Sequence, residues 1–218
     1  MISDIVVTMD SALSIQHVQR ASELLDGDTD DHSGLDIGAL RGRLVEVTAR
    51  RGHPQVTLAI ERIAEAHRCG EPAAWIGPST SLFYPPDIAD WPLDWSALAL
   101  LRLDNRQQAT RAADKLLQSG AFGIVVIDLI DCDDTALPTP LIHRLKRQAK
   151  RHDSAALFLT RTGRDGVSVS NAIDLRARAK WTGVDADQLQ LRAVITKDRS
   201  RGPGDHIEEE YDGPLGLH

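Results

Sequence analysis

A chain of 218 residues with 42% hydrophobic content is long enough for one sizeable core with a small appendage, and its net charge of −7 disfavours nonspecific binding to nucleic acid. The charge is uneven: Met1–Asp36 carries one Arg against eight Asp/Glu, whereas Pro140–Gly202 carries fourteen Lys/Arg against six Asp. Cys69 and Cys132 fit no zinc or redox spacing, the opening residues lack the basic and apolar regions of a signal peptide, and the longest apolar run (Phe122–Ile130) is too short for a bilayer; a reduced, cytosolic setting is expected.

In chain order, Ser11–Gly27 spaces Leu13, Ile15, Val18, Ala21, Leu24 and Leu25 along one face of a helix, with Gly27 as its stop. The acidic stretch "DGDTDDHSG" (Asp26–Gly34) then reads as a solvated hinge. Residues 1–30 are thus expected to form an N-terminal strand/helix and linker, and residues 31–218 the core. From Leu44 the segments alternate. "LVEV" is a strand, "QVTLAIERIAEAHRCG" a helix closed by Gly70, and "PAAWIG" the next strand. "DWSALALLRL" ends as another, because Leu101 and Leu103 alternate with Arg102 and Asp104. "NRQQATRAADKLLQSG" is a helix capped by Asn105 and ended by Gly120. "FGIVVIDLI" is a continuous β-branched run of the kind covered on both faces; "PTPLIHRLKRQAKRHD" is a helix from about Thr139, and "SAALFLT" another central strand. This rhythm predicts an α/β fold with a mainly parallel central sheet flanked by helices. After "RTGRDG", the segments "AIDLRARAKW", "LQLRAVITK" and "HIEEEYDG" follow without helices between them, which predicts an antiparallel C-terminal extension of one edge.

The unit from Gly42 to Ala66 has the strand-loop-helix order of a phosphate loop. That chemistry needs glycines whose backbone N–H groups converge on phosphate, a Lys for the β- and γ-phosphates and a Ser/Thr hydroxyl for Mg²⁺. "ARRGHPQVT" supplies neither half. The eight histidines have no metal-ligand spacing, and no Ser/His/Asp or Cys/His set is defensible, so no catalytic residue, metal or cofactor is expected. Arg144, Arg147 and Arg151 recur at helical spacing with Lys146 and Lys150 on an adjoining face, and Arg161 is counted with them: a solvated helix surface, or a candidate patch that meets DNA or an acidic protein. No aromatic residues interleave them, so stacking of single-stranded bases is not supported. Trp75, Trp91, Trp95 and Trp181 are placed on strand edges or in "DWPLDW", where Trp91 and Trp95 serve as lid packing or as a partner surface.

The segments "GRLVEV", "AAWIG", "GIVVIDLID", "ALFLTR" and "IDLRARAKW…LQLRAVITKDRSRGPG…EEEYDGPLG" stand in the order and spacing of the RecA recombinase core, which the chain resembles over roughly residues 35–218. In the register of that resemblance, Ala49 stands at the first phosphate-loop Gly, Pro54 at the second, Gln55 at the Lys and Val56 at the Ser/Thr. Pro54 also lacks the backbone donor wanted there. Ser79 falls near the catalytic Glu position, and Arg161 replaces the Gln that senses the γ-phosphate. Asp128 matches the acidic residue that helps to hold Mg²⁺, or else is a structural carboxylate at a strand end. The two DNA-binding loops shrink to "DCDDTALPT" and "TGRDG". "ITKDRSRGPG" (Ile195–Gly204) matches the segment whose two basic residues reach a neighbour's ATP. Lys197 and Arg199 stand at those positions, with Arg201 beside them: a basic finger pair acting on phosphate oxygens held by another chain, or a solvated hairpin tip.

A RecA-like core altered in this way resembles the ImuA proteins, in a superfamily with the SulA cell-division inhibitors. The resemblance implies a non-catalytic accessory protein of damage-induced, error-prone translesion synthesis, cytoplasmic and nucleoid-associated when DNA is damaged. RecA and the ImuB-type polymerase relative are the implied partners, with the error-prone C-family polymerase reached indirectly, DNA bound weakly or indirectly, and no membrane. Because RecA packs an N-terminal helix on its neighbour, Ile15, Val18, Leu24 and Leu25 are expected either to dock on a partner or to pack on the chain's own core. The alternative is a SulA-like inhibitor of the tubulin-like division protein, against which the long C-terminal block argues.

Overall fold

The computed structural model describes residues 34–103, 105–132, 137–161, 168–185 and 188–212. The expected helix with Ile15, Val18, Leu24 and Leu25, the hinge before Gly34, the loop "TGRDG" and the centre of "DCDDTALPT" lie outside these residues.

The described elements are α1 (Ile37–Leu40), β1 (Leu44–Ala49), α2 (Pro54–Arg68), β2 (Ala73–Gly77), β3 (Leu98–Arg102), α3 (Arg106–Ser119), β4 (Ile124–Asp128), α4 (Thr139–His152), β5 (Ala155–Arg161), β6 (Leu175–Asp185), β7 (Gln188–Asp198) and β8 (His206–Asp212), with two 3₁₀ turns, Pro85–Ile88 and Trp95–Ala97, between β2 and β3. They build one eight-stranded sheet in the order β3-β2-β4-β5-β1-β6-β7-β8. β1 to β6 are mutually parallel, and β7 and β8 extend the sheet antiparallel. The α/β fold with an antiparallel C-terminal extension is therefore as expected, with one difference at its boundary. "AIDLRARAKW" enters as a sixth parallel strand, pairing Val45 with Leu175 through Thr48 with Arg178. A parallel entry is recognised in a sequence by the helix that carries the chain back across the sheet, and no helical pattern precedes β6.

β1, β2 and β4 are buried along their whole length, because both faces of the sheet are covered. On one face α2 packs Ala59, Ile60 and Ile63 against Val45, Trp75, Val126 and Leu157. On the other, α3 and α4 set Ala113, Leu117, Ile142 and Leu145 against Leu44, Ile76, Val125 and Phe158. α3 begins where Asn105 Oδ1 accepts from the Gln107 and Gln108 N–H groups (2.8 and 3.3 Å) and ends at Gly120 in the left-handed region (φ 68°). Trp75 corrects the expectation of strand-edge tryptophans: it lies on β2 between β3 and β4, is 0% exposed, and stacks on Phe83 at 4.5 Å. Glu46, in the middle of β1, is also 0% exposed; it accepts from Thr160 Oγ1 (3.0 Å) and Ser168 Oγ and pairs with Arg176 (3.3 Å), so one buried carboxylate ties β1 to β5 and β6. No helix of the described residues is long and apolar enough to cross a membrane.

Candidate functional site

The loop between β1 and α2 lies at the carboxyl end of the parallel strands, where α/β sheets hold ligands. Gly52 and His53 both adopt positive φ (71° and 51°), a conformation that strains His53, and α2 then starts at Pro54. Pro54 has no N–H, and the Val56 N–H is already spent on His53 O (3.0 Å), so two of the first three helical positions offer an anion no donor. Gln55, at the Lys position, is 1% exposed and points inward, its Nε2 donating to Thr160 O (3.3 Å) while Oε1 has no partner among the described residues. Val56 is buried, and Ala49 closes β1 at 2% exposure. Trp181 covers the loop: its Nε1 donates to Gly52 O (2.9 Å), and a Cβ built on Gly52 would stand 2.8 Å from the indole. Sequence reasoning missed this lid, because it joins residues 129 positions apart.

Asp128 closes β4 as expected, 3% exposed. Its Oδ2 accepts from Ser81 Oγ (2.5 Å) and its Oδ1 from the Ile130 N–H (3.1 Å). Burial pushes its carboxyl above the usual range against the opposing effect of those hydrogen bonds. Ser81 also accepts from Trp75 Nε1 and the Phe83 N–H (both 3.3 Å), so Asp128 anchors the loop after β2. Ser79, near the catalytic Glu position, is exposed; Ser81 is the residue that meets Asp128. Among the described residues no group of three or more His, Cys, Asp or Glu is placed to hold a metal.

The basic candidates separate into distinct places. Arg144 bridges α4 to α3 through Asp114 (2.8 Å), and Lys146 pairs with Asp174. Arg147, Lys150 and Arg151 are exposed, with Lys150 and Arg151 in the last turn, where cations complement the helix dipole. Arg161 does not join them. It sits at the far end of β5, roughly 20 Å along the strand from α4's last turn, and pairs with Asp131 (3.0 Å).

Lys197 and Arg199 do come together. Lys197 Nζ (3.0 Å) and Arg199 Nη2 (2.7 Å) both donate to Asn171 O. Burial, then the neighbouring Arg199 and Lys146 charges, pull Lys197 below the usual ammonium range. Asp198 orders the turn beneath them: its carboxylate takes the Ser200 and Arg201 N–H groups (2.6 and 3.3 Å) and the Arg43 guanidinium. Burial raises the Asp198 carboxyl, but Arg43 and the turn N–H groups hold it below its ordinary value. Arg201 is exposed at the tip. Lys150 joins this group by lining a cavity of about 600 Å³ with Arg41, Arg43, Lys146 and Arg199, beside Asp153 and Asp174. Since β7 meets β6 at Leu175 and Arg176, the pair lies at the amino end of the parallel strands, about 17 Å along β1 from the altered loop. Within one chain the two features face opposite ends of the sheet.

Residues 6–137 match the RecA N-terminal domain. The chain belongs to the RecA N-terminal domain family. Among curated proteins, this RecA-family chain is 34% identical over 142 residues to the Protein RecA of Corynebacterium jeikeium (60% of this chain, 37% of that one). It is 38% identical over 106 residues to that of Corynebacterium glutamicum strain R (48% and 28%), and 33% identical over 119 residues to that of Bifidobacterium breve (54% and 30%). The matched part spans about a third of the length of these relatives.

Proposed function

We propose that this RecA-family chain is a non-catalytic accessory protein of the ImuA type, serving damage-induced, error-prone translesion synthesis. In this reading it docks on the end of a RecA filament and offers Lys197 and Arg199 to ATP held by the neighbouring RecA subunit, which limits filament growth. An ImuB-type polymerase relative is its second proposed partner, through which it meets the error-prone C-family polymerase. One observation carries the reading: the phosphate-loop positions that would hold nucleotide are replaced or covered, at Pro54, Gln55, Val56 and Trp181, while the basic pair survives, ordered on Asn171 O with Arg199 exposed and Lys197 half-buried, at the opposite end of the sheet. A subunit so built accepts no Mg-ATP by the usual route, yet it keeps the cations that stabilise phosphate charge on another chain. A second surface fits a protein partner. The exposed large apolar side chains Leu82, Tyr84, Trp95 and Leu100 all lie along the β3 edge, since Arg102 holds the loop after β2 to that strand through Phe83 O (2.6 Å) and Pro78 O (3.3 Å).

The test is capture by RecA assembled with ATP on single-stranded DNA. The parent chain is expected to be retained, and the Lys197→Ala/Arg199→Ala variant to be lost from the pellet; equal retention sinks the finger role. Deletion separates the SulA-like alternative: loss of damage-induced mutation supports the ImuA reading, and loss of cell filamentation supports the division inhibitor.

A further inference from the structure

Past Thr48, β1 turns away into the altered loop, whereas β6 runs on to Asp185 with β7 as its neighbour on the other side. From Ala179 onward, the β1-facing edge of β6 therefore has no strand partner among the described residues. A cavity of about 660 Å³ opens along this edge, lined by Arg178, Ala179, Lys180 and Trp181 of β6 and by Arg50, Arg51 and Gly52 of the loop. Among the described residues that line it, four are cations and none is a carboxylate. Arg144, Arg161 and Arg192 have found acidic partners elsewhere on the molecule, but among the described residues none of the four cations here is in an ion pair. In a chain of net charge −7, such a concentration of unpaired positive charge favours an anionic occupant.

The strand fixes what kind of anion fits. Arg178 and Lys180 are exposed on one face of β6, while Ala179 and Trp181 belong to the other, and residues two apart on a strand are about 6.6 Å apart. We propose that this free edge binds an extended acidic segment of a partner protein, added as a strand to β6. Its Asp or Glu residues at alternate positions face Lys180 and, diagonally past the end of β1, Arg178; Arg50 and Arg51 close over them, and its intervening small or apolar residues lie beside Trp181. Strand addition uses the outward N–H and C=O groups for affinity and side-chain alternation for specificity, and both are laid out along this edge. A single strand of nucleic acid fits less well. It would leave those backbone groups unmatched, and the Trp181 ring is already committed to Gly52 O and, edge-on at 5.7 Å, to Tyr211 rather than standing free for bases. The proposal does not depend on the filament-docking reading, because it uses the opposite end of the sheet from Lys197 and Arg199.

The experiment uses the full chain and a fluorescein-labelled octapeptide of alternating Asp and Val, followed by anisotropy. Saturable binding is expected, weakening between 50 and 200 mM salt and falling at least about tenfold in the Arg178→Glu/Lys180→Glu variant. N-methylation of every second peptide amide is expected to abolish binding when placed on one edge of the peptide and to spare it on the other. These N-methylated peptides are tested on the parent chain, so the result stands even where the double variant fails to fold. Three outcomes overturn the proposal: equal binding of a peptide of the same composition with its Asp residues consecutive, indifference to both methylation patterns, or displacement of the peptide by oligothymidylate of equal charge, which would assign the cleft to nucleic acid.

Discussion

Replacing Glu61 by Gln is expected to remove most of a pH dependence that is built into the contact between α2 and β8. Tyr211 Oη meets Glu61 Oε1 and Glu209 Oε2 (2.7 Å), and Arg62, with its side chain 5% exposed, reaches Glu61, Glu65 and Glu209 at 3.0–3.2 Å. One hydroxyl carries one proton, so both Tyr211 contacts are hydrogen bonds only while one of the two carboxyls is protonated. Glu61 is that group: burial, and then the neighbouring Glu209 carboxylate, push it up to about 8 from 4.5. Burial also acts to raise Glu209, but the bond from Glu61, with Arg62 and Tyr211, holds it below its ordinary value. The signs then separate. A carboxyl raised on folding gives stability that is complete below pH 4.5 and is lost as pH climbs to about 8. The contribution of Glu209 is already complete above its unfolded value and does not change across that window. The rise from 4.5 to about 8, at 1.36 kcal/mol for each tenfold change in proton affinity, sets a ceiling of about 5 kcal/mol, and local opening of β8 at high pH brings the expected loss to about 2–4 kcal/mol. Urea unfolding of the parent and of Glu61→Gln at pH 5, 6.5, 8 and 9 measures it. The amide donates to Tyr211 at every pH, so its stability is expected to change much less than the parent's. Parallel pH profiles for the two proteins would refute the shared-proton assignment.

Further outcomes follow from other buried groups. Glu46→Ala removes the buried carboxylate that accepts from Thr160 and Ser168 and pairs with Arg176, and is expected to cost about 3–5 kcal/mol, seen as a lowered urea midpoint. Ser81→Ala removes the donor to a buried carboxyl at Asp128 and is expected to cost about 1–3 kcal/mol, read by thermal melting. Asn105→Ala, the loss of a helix cap, is expected to cost about 1 kcal/mol. Gln55→Lys with Val56→Thr restores the two residue types a phosphate loop wants, yet Mg-ATP is expected to stay unbound in a fluorescent-nucleotide titration, since Pro54, His53 and Trp181 still shape the loop; micromolar binding would show that residue type alone had silenced it.

What the sequence made legible is what depends on local pattern. "FGIVVIDLI" and "LVEV" read as doubly covered strands because continuous burial leaves continuous apolar runs, and Asn105 and Gly120 bounded α3 because caps are local chemistry. The degenerate loop was visible for the same reason, each required residue type being replaced within "ARRGHPQVT". What stayed hidden depends on register between distant strands. Nothing in "RARAKW" says that Trp181 lands on Gly52, or that Arg178 and Lys180 outrun the end of β1. Lys197 and Arg199 were picked out by resemblance, but their shared acceptor, Asn171 O, lies 26 and 28 positions away. Arg161 looked like one more member of the α4 patch until β5 set it at the opposite end of the sheet. Nothing in the sequence joins Glu61 to Glu209; the approach of β8 to α2 brings both against Tyr211.

The most direct measurement is the length of RecA filaments assembled with ATP on single-stranded DNA while the chain is present at a few molecules per hundred RecA subunits. Filaments shortened in proportion to the chain added, and restored to full length when the Lys197→Ala/Arg199→Ala variant replaces it, are the predicted result. Unchanged lengths, or equal shortening by the variant, contradict a RecA-like chain that caps its neighbour through this basic pair.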